Sequence, residues 1–119
     1  MPATRLSIRI DLSGGDRIGP GKITLLEAIR DAGSISGGAR KVGMSYRRAW
    51  LLVEQINAAL KAPAVTGASG GRRGGGAEVT AIGHDIIKIY RGIESAARKA
   101  AASEFRAVEK IVRKDKRKG

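Results

Sequence analysis

The sequence predicts an α+β fold in which short strands and helices precede a long C-terminal run of helical periodicity. Apolar and polar residues alternate from Leu6 to Leu12, which is typical of a half-buried strand. Apolar residues then recur at helical spacing from Ile23 onwards. A glycine-rich stretch at residues 67–76 separates two short segments of strand type, which indicates a β-hairpin.

The first helix is predicted to begin at Lys22, where the period of the apolar residues changes. Gly19-Pro20-Gly21 precedes it, and we expect this tripeptide to block continuation of the chain into a helix. Gly33 supplies a stop, because glycine readily adopts the left-handed conformation that ends a helix.

A short second helix follows, and either Ser34 or Ser36 can cap it by accepting a hydrogen bond from a free backbone amide. Gly37 and Gly38 within it are small enough to let another helix approach closely. Gly43 permits the positive φ that a tight turn between two helices needs.

The third helix is predicted from its cap at Ser45 to about Leu60. Its spacing places the single tryptophan, Trp50, in the core rather than in a base-stacking position. The predicted buried face comprises Ala49, Trp50, Val53, Ile56, Leu60 and, in part, Asn57.

The outer face of this third helix carries hydroxyls and guanidiniums at its N-terminal end, which suits the base edges and phosphates of a DNA major groove. Taken alone, Arg47 and Arg48 fit a solvated helix face better than a DNA contact. Their place between a glycine turn and an arginine-tipped hairpin favours DNA contact instead. Tyr46 either hydrogen-bonds a phosphate or packs under the first helix. The predicted DNA-binding residues are Ser34, Ser36, Ser45, Tyr46, Arg47, Arg48, Leu51, Arg72 and Arg73.

A hairpin directly after such a helix predicts a winged helix-turn-helix with an N-terminal strand, over residues 1–80. Residues 81–112 are predicted to form one long helix that dimerises with its copy, because it would extend beyond so small a domain. The alternative is a helix that packs back on its own domain. Residues 113–119 are expected to form a basic flexible tail, which either adds affinity for phosphate or only solubilises the chain.

The chain carries a net charge of +12, of which +6 falls within residues 37–91 and +5 within residues 110–119. This distribution favours double-stranded DNA as the partner, ahead of an anionic membrane surface or an acidic protein. The sequence contains no cysteine and no apolar run of about 18 residues, so we expect a cytoplasmic protein without a membrane span.

The sequence contains no pattern that indicates an enzyme, a metal site or a cofactor. His84 is the only histidine and has no companion ligands at metal-binding spacing. The glycine-rich stretch lacks the Gly-Lys-Ser/Thr ending of a nucleotide-binding loop. We therefore expect a binding protein.

Residues 25–29 (LLEAI), 33–39 (GSISGGA) and 43–50 (GMSYRRAW) together resemble the N-terminal domain of the ModE-type molybdate-responsive transcriptional regulators. More distantly, they resemble LysR-type winged helices. The glycine loop at residues 70–76 and the VTAIG sequence at residues 79–83 match the same pattern.

The resemblance implies a bacterial, homodimeric, sequence-specific DNA-binding regulator, held together by the first strand region and the last helix. The chain has no room for the C-terminal oxyanion-binding domains of full-length members, so we expect a stand-alone, single-domain form whose effector is unknown. A non-sequence-specific architectural DNA-binding protein is the alternative, and an adaptor that docks through its long helix is a third.

Overall fold

The computed structural model describes residues 4–67 and 76–113. Within these ranges the elements are β1 (Ile10–Asp11), β2 (Arg17–Ile18), α1 (Pro20–Ala32), α2 (Ile35–Val42), α3 (Tyr46–Ala59), β3 (Val65–Gly67), β4 (Ala77–Val79), α4 (Ala81–Ala100) and α5 (Ala102–Ile111). Strands β1 and β2 form one antiparallel pair, and β3 and β4 form a second. The predicted α+β class is confirmed, and the arrangement is compatible with a winged helix. All but Arg113 of the expected tail lies outside the described residues.

The N-terminal strand is much shorter than the alternation from Leu6 to Leu12 predicts. Only Ile10 and Asp11 pair, opposite Ile18 and Arg17. The pairing cannot extend further because the opposing chain enters α1 at Pro20. The alternation of half-buried and exposed side chains nevertheless continues back to Leu6, so the pattern reports a half-buried segment rather than a paired strand.

Helix α1 begins at Pro20, so the prediction that Gly19-Pro20-Gly21 blocks a helix is wrong. Proline suits the first helical position, because the amide hydrogen it lacks would have no partner inside the helix. Gly33 ends α1 as predicted, with a φ of 78° and an N–H that donates to the Ile29 carbonyl at 2.8 Å.

Helix α2 packs directly on α1 through its glycines. A Cβ atom built on Gly38 would lie 2.6 Å from Cγ1 of Ile29 and 2.9 Å from its backbone nitrogen. Ile29 is fully buried, so it has no free space into which it could retreat. The close helix approach expected from the sequence is therefore present, and it depends on the missing side chain.

One hydrophobic core joins α1, α2, α3, the two strand pairs and the first half of α4. Tyr90 is its largest fully buried side chain, and its hydroxyl donates to the Ile8 carbonyl at 2.5 Å. Burial raises the pKa of Tyr90 above its usual value. The core residues are Ile18, Ile23, Leu25, Leu26, Ile29, Ala39, Ala49, Val53, Ile56, Ala64, Val65, Ala77, Ile87 and Tyr90.

Arg91 fastens α4 to α1. Its guanidinium donates to both carboxylate oxygens of Glu27, at 2.8 and 3.1 Å, and to Glu94 at 2.8 Å. Two parallel N–H···O bonds fix direction as well as distance. The hydrogen bond from Arg91 lowers the pKa of Glu27, so this carboxylate stays ionised to lower pH than a free glutamate.

The predicted single helix over residues 81–112 is interrupted at Ala101, which adopts φ −100° and ψ 14°. Hydrogen bonds of α-helical spacing continue on both sides, from Ala101 to Ala97 and from Phe105 to Ala101, each at 2.9 Å. A periodicity argument therefore cannot detect the break. No residue of α5 is buried, so packing against the core does not fix the direction of α5 relative to α4.

Helix α4 divides its apolar residues between two faces. Ile87 and Tyr90 are buried in the core, whereas Ile89 is 55% exposed and Ile93 is 40% exposed. The spacing of these four residues in the sequence fits a single widened apolar stripe, so it does not separate the two faces. None of the helices in residues 4–67 and 76–113 combines the length and apolarity needed to cross a membrane.

We predict that Gly38→Ala destabilises the fold by about 2 kcal/mol or more, because the added methyl group overlaps Ile29. Gly92→Ala is the matched control, since nothing lies within 4 Å of a Cβ atom at that helical position. It should stabilise the protein by about 0.5–1 kcal/mol. Thermal unfolding followed by circular dichroism measures both changes, and equal effects would contradict the close-packing account.

Candidate nucleic-acid interface

The turn between α2 and α3 is built from one glycine and one serine. Gly43 has a φ of 71°, as predicted, and its N–H donates to the Arg40 carbonyl at 3.2 Å. The Ser45 hydroxyl then accepts the Arg48 N–H at 3.1 Å and so caps α3, again as predicted. These local bonds determine where α3 begins and therefore which side chains occupy its first turn.

The first two turns of α3 present the predicted side chains to solvent. Arg47 and Arg48 are exposed, Tyr46 is 55% exposed and Leu51 is 44% exposed. The opposite face of the helix is buried through Ala49, Val53 and Ile56. Of the two interpretations of Tyr46, its exposure rules out packing under the first helix.

Trp50 is 43% exposed, so its predicted place in the core is wrong. On an α-helix it is displaced by about 100° from Ala49, the residue that points directly inward. Ala49 is fully buried against the rest of the core. A residue at this angle lies at the edge of the buried face, so helical spacing alone does not decide whether its side chain is buried or exposed.

The two serines that precede and begin α2 have different environments. The half-buried Ser34 hydroxyl accepts the Gly37 N–H at 2.9 Å and is the cap of α2. Ser36 is exposed in the first turn of the same helix. Arg72 and Arg73, the remaining predicted contacts, lie outside the described residues.

Asn57 connects α3 to the β3–β4 pair. Its side-chain oxygen accepts the N–H groups of Ala64 and Val65 at 2.8 and 3.1 Å, and its amide nitrogen donates to the Val65 carbonyl at 3.1 Å. The sequence suggested only that Asn57 is partly buried. Its three backbone partners lie seven and eight residues away, beyond the reach of any local capping pattern.

The same strand pair is fixed to two other helices. The Ala77 N–H donates to the Gly33 carbonyl at the end of α1, at 2.9 Å. The Thr80 hydroxyl donates to the Pro63 carbonyl at 2.7 Å and accepts the Gly83 N–H, which caps α4. The base of the hairpin is therefore held against α1, α3 and α4 together.

An open groove of about 430 Å³ lies beside the exposed Gln55 of α3. Asp16, Arg17 and Lys22 also line it, and the Lys22 ammonium donates to the Arg17 carbonyl at 2.8 Å. Partial burial lowers the pKa of Lys22. These two cations escaped the sequence analysis, because they lie more than 30 residues from Gln55 and carry no motif.

The described part of the chain offers no cluster of three or more histidine, aspartate or glutamate side chains that could hold a metal ion. The chemistry available on the outer face of α3 is that of guanidinium donors, hydroxyls and apolar surface. This combination suits recognition of a polyanion with apolar features on its edges.

Comparison with known proteins identifies relatives over most of the chain, although no protein-family model matches it. It is 46% identical over 89 residues to the molybdenum-pterin-binding protein MopB of Rhodobacter capsulatus, covering 75% of this chain and 33% of that protein. It is 38% identical over 96 residues to the molybdenum transport protein ModE of Azotobacter vinelandii, covering 79% of this chain and 36% of that protein. It is 41% identical over 71 residues to the DNA-binding transcriptional dual regulator ModE of Escherichia coli K12, covering 60% of this chain and 27% of that protein.

The chain thus spans about a third of the length of the relatives it matches. The resemblance to ModE-type proteins that the motifs at residues 25–50 indicate is confirmed by these alignments.

We predict that Asn57→Ala lowers the free energy of unfolding by about 2–3 kcal/mol, because it leaves partly buried backbone groups without partners. Gln55→Ala, at an exposed position on the same helix, should change it by less than about 0.5 kcal/mol. Urea unfolding of both variants provides the comparison. A loss at Asn57 no larger than that at Gln55 would mean that the hairpin is held by other contacts.

Proposed function

Because the chain is homologous to ModE-type proteins over most of its length, we propose that it is a winged helix-turn-helix protein that binds double-stranded DNA. In this proposal it acts as a sequence-specific transcriptional regulator and as a homodimer. Helix α3 enters the major groove, and the β3–β4 hairpin, with Arg72 and Arg73, contacts the adjacent backbone.

The observation that carries this proposal is the outward orientation of the first two turns of α3. Arg47 and Arg48 are exposed and lie in a segment whose net charge is positive. Arginine pairs bidentately with guanine, and each good pair contributes about 1–3 kcal/mol of discrimination between bases. Neighbouring cations supply affinity for phosphate that does not depend on sequence.

The exposed apolar face of α4 supports a homodimer. Ile89 and Ile93 lie one helical turn apart on α4, about 110° around the helix axis from the direction of the buried Ile87 and Tyr90. Leaving two isoleucines in water is unfavourable, and pairing with the same helix of a second copy would bury them. A two-fold symmetric dimer predicts an inverted-repeat DNA site whose half-sites lie one or more helical turns apart.

An architectural protein that binds DNA without sequence preference is the second candidate, favoured by the net charge of +12. The two functions differ in the ratio of specific to non-specific affinity. A regulator should prefer its site over random duplex by about 10³-fold or more, whereas an architectural protein should not.

We predict that Arg47→Ala reduces discrimination between a selected DNA site and random duplex by about tenfold, because base contacts carry the sequence information. Arg72→Ala should weaken binding to both duplexes equally and reduce the salt dependence by about one phosphate contact. Electrophoretic titrations at several salt concentrations measure both quantities.

Arg106→Ala is the matched control for this experiment, because it removes the same charge from an exposed position on α5. Its affinity and discrimination should remain close to those of the unaltered chain. Equal loss of discrimination in the Arg47 and Arg72 variants would refute the division of roles. Absence of duplex binding by the unaltered chain at low salt would refute the proposed function.

We predict that Ile89→Lys converts the homodimer to a monomer, because a charge would be placed within the apolar α4 contact. Gln55→Lys adds the same charge to an exposed position on α3 and should leave the oligomeric state unchanged. Sedimentation equilibrium gives the mass of each variant. A monomeric unaltered chain, or a dimeric Ile89 variant, would contradict the proposed dimer contact.

A further inference from the structure

Two large apolar side chains, Trp50 and Leu51, are 43% and 44% exposed on the second turn of α3. They follow Tyr46 and Arg47 by four residues each, so the four side chains form two neighbouring i,i+4 pairs on one side of the helix. This exposed strip combines a phenol, a guanidinium, an indole and an isobutyl group. The core of the protein does not use it, because α3 packs inward through Ala49, Val53 and Ile56.

The surroundings of the strip are cationic. Arg48 is exposed on the same turn of α3, and Arg40 and Lys41 are exposed on the last turn of α2, just before the turn that leads into α3. A purely apolar partner would leave these charges without counterparts. A polyanion that carries apolar groups between its charges complements both features at once.

Double-stranded DNA presents one apolar group on its base edges in the major groove, the 5-methyl group of thymine. We propose that Trp50 and Leu51 contact thymine methyl groups and that they thereby determine part of the sequence specificity. This inference rests on the proposed function. It adds recognition of thymine by apolar contact to the hydrogen bonding with bases that is expected of the arginines. A second copy of the chain seated on the same strip is the competing occupant, which the experiment distinguishes.

The test uses the full chain and a duplex recovered from a random-sequence pool by selection with that chain. A second duplex has the same sequence with uracil in place of thymine, which removes the 5-methyl groups while keeping the base pairing. We expect affinity to fall about fourfold for each contacted methyl group that is lost. The emission of Trp50, the only tryptophan in the sequence, should change on addition of the thymine duplex.

Variants of Trp50 then test whether its side chain causes the preference for thymine over uracil. Trp50→Ala should weaken binding to the thymine duplex by about tenfold and lose part of the preference for thymine, and the double variant Trp50→Ala/Leu51→Ala should become nearly indifferent to the replacement by uracil. Trp50→Phe, which keeps an apolar ring, should recover part of both the affinity and the preference for thymine. Arg106→Ala, at an exposed position on α5, should retain the full preference.

The outcomes separate this inference from the proposed function. If the unaltered chain binds no duplex, both are refuted. If it binds but tolerates uracil within twofold and its tryptophan emission does not change, the thymine contact alone is refuted. A change of emission that depends on protein concentration rather than on DNA would identify a second copy as the occupant and would also refute it.

Discussion

The contact between Gly38 of α2 and Ile29 of α1 determines where the exposed face of α3 points. Helix α2 has only eight residues, and its buried positions are Gly37, Gly38 and Ala39. With no side chain between them, the two helices meet at the distance set by the backbone of one and the isoleucine of the other. Helix α3 begins directly after the turn at Gly43. The direction of its outer face therefore depends on how α2 packs against α1.

Helix α1 also connects the two surfaces for which a function is proposed, the outer face of α3 and the exposed apolar face of α4. The Arg91–Glu27 pair fastens α4 to α1, while the Ala77–Gly33 hydrogen bond fastens the hairpin to the end of α1. Asn57 completes the arrangement by joining the hairpin to α3. The apolar outer face of α4 and the cationic face of α3 are therefore held by one set of contacts. A two-fold dimer through α4 would fix the separation between two copies of α3, which is what a repeated DNA site requires.

Several features could be predicted because they depend on residues close together in sequence. Ser45 caps α3, and Ser34, one of two candidates, caps α2, each through an amide three residues away. Gly43 supplies a positive φ within a single turn. Arg47 and Arg48 follow directly from the cap, so their position on the first turn was predictable as well. The ModE-type motifs lie in the same segment, which is why the resemblance could be identified from the sequence.

By itself, the sequence determined the order of the helices from α1 to α4, where α3 begins, and which charged residues lie on the outer face of α3. Only the tertiary structure decided that Trp50 is exposed, that Asn57 binds the hairpin, and that α4 has two apolar faces. The physical reason is that a helical apolar stripe is wider than the contact that covers it. Which part stays in water depends on the size and position of neighbours on other elements, which are distant in sequence.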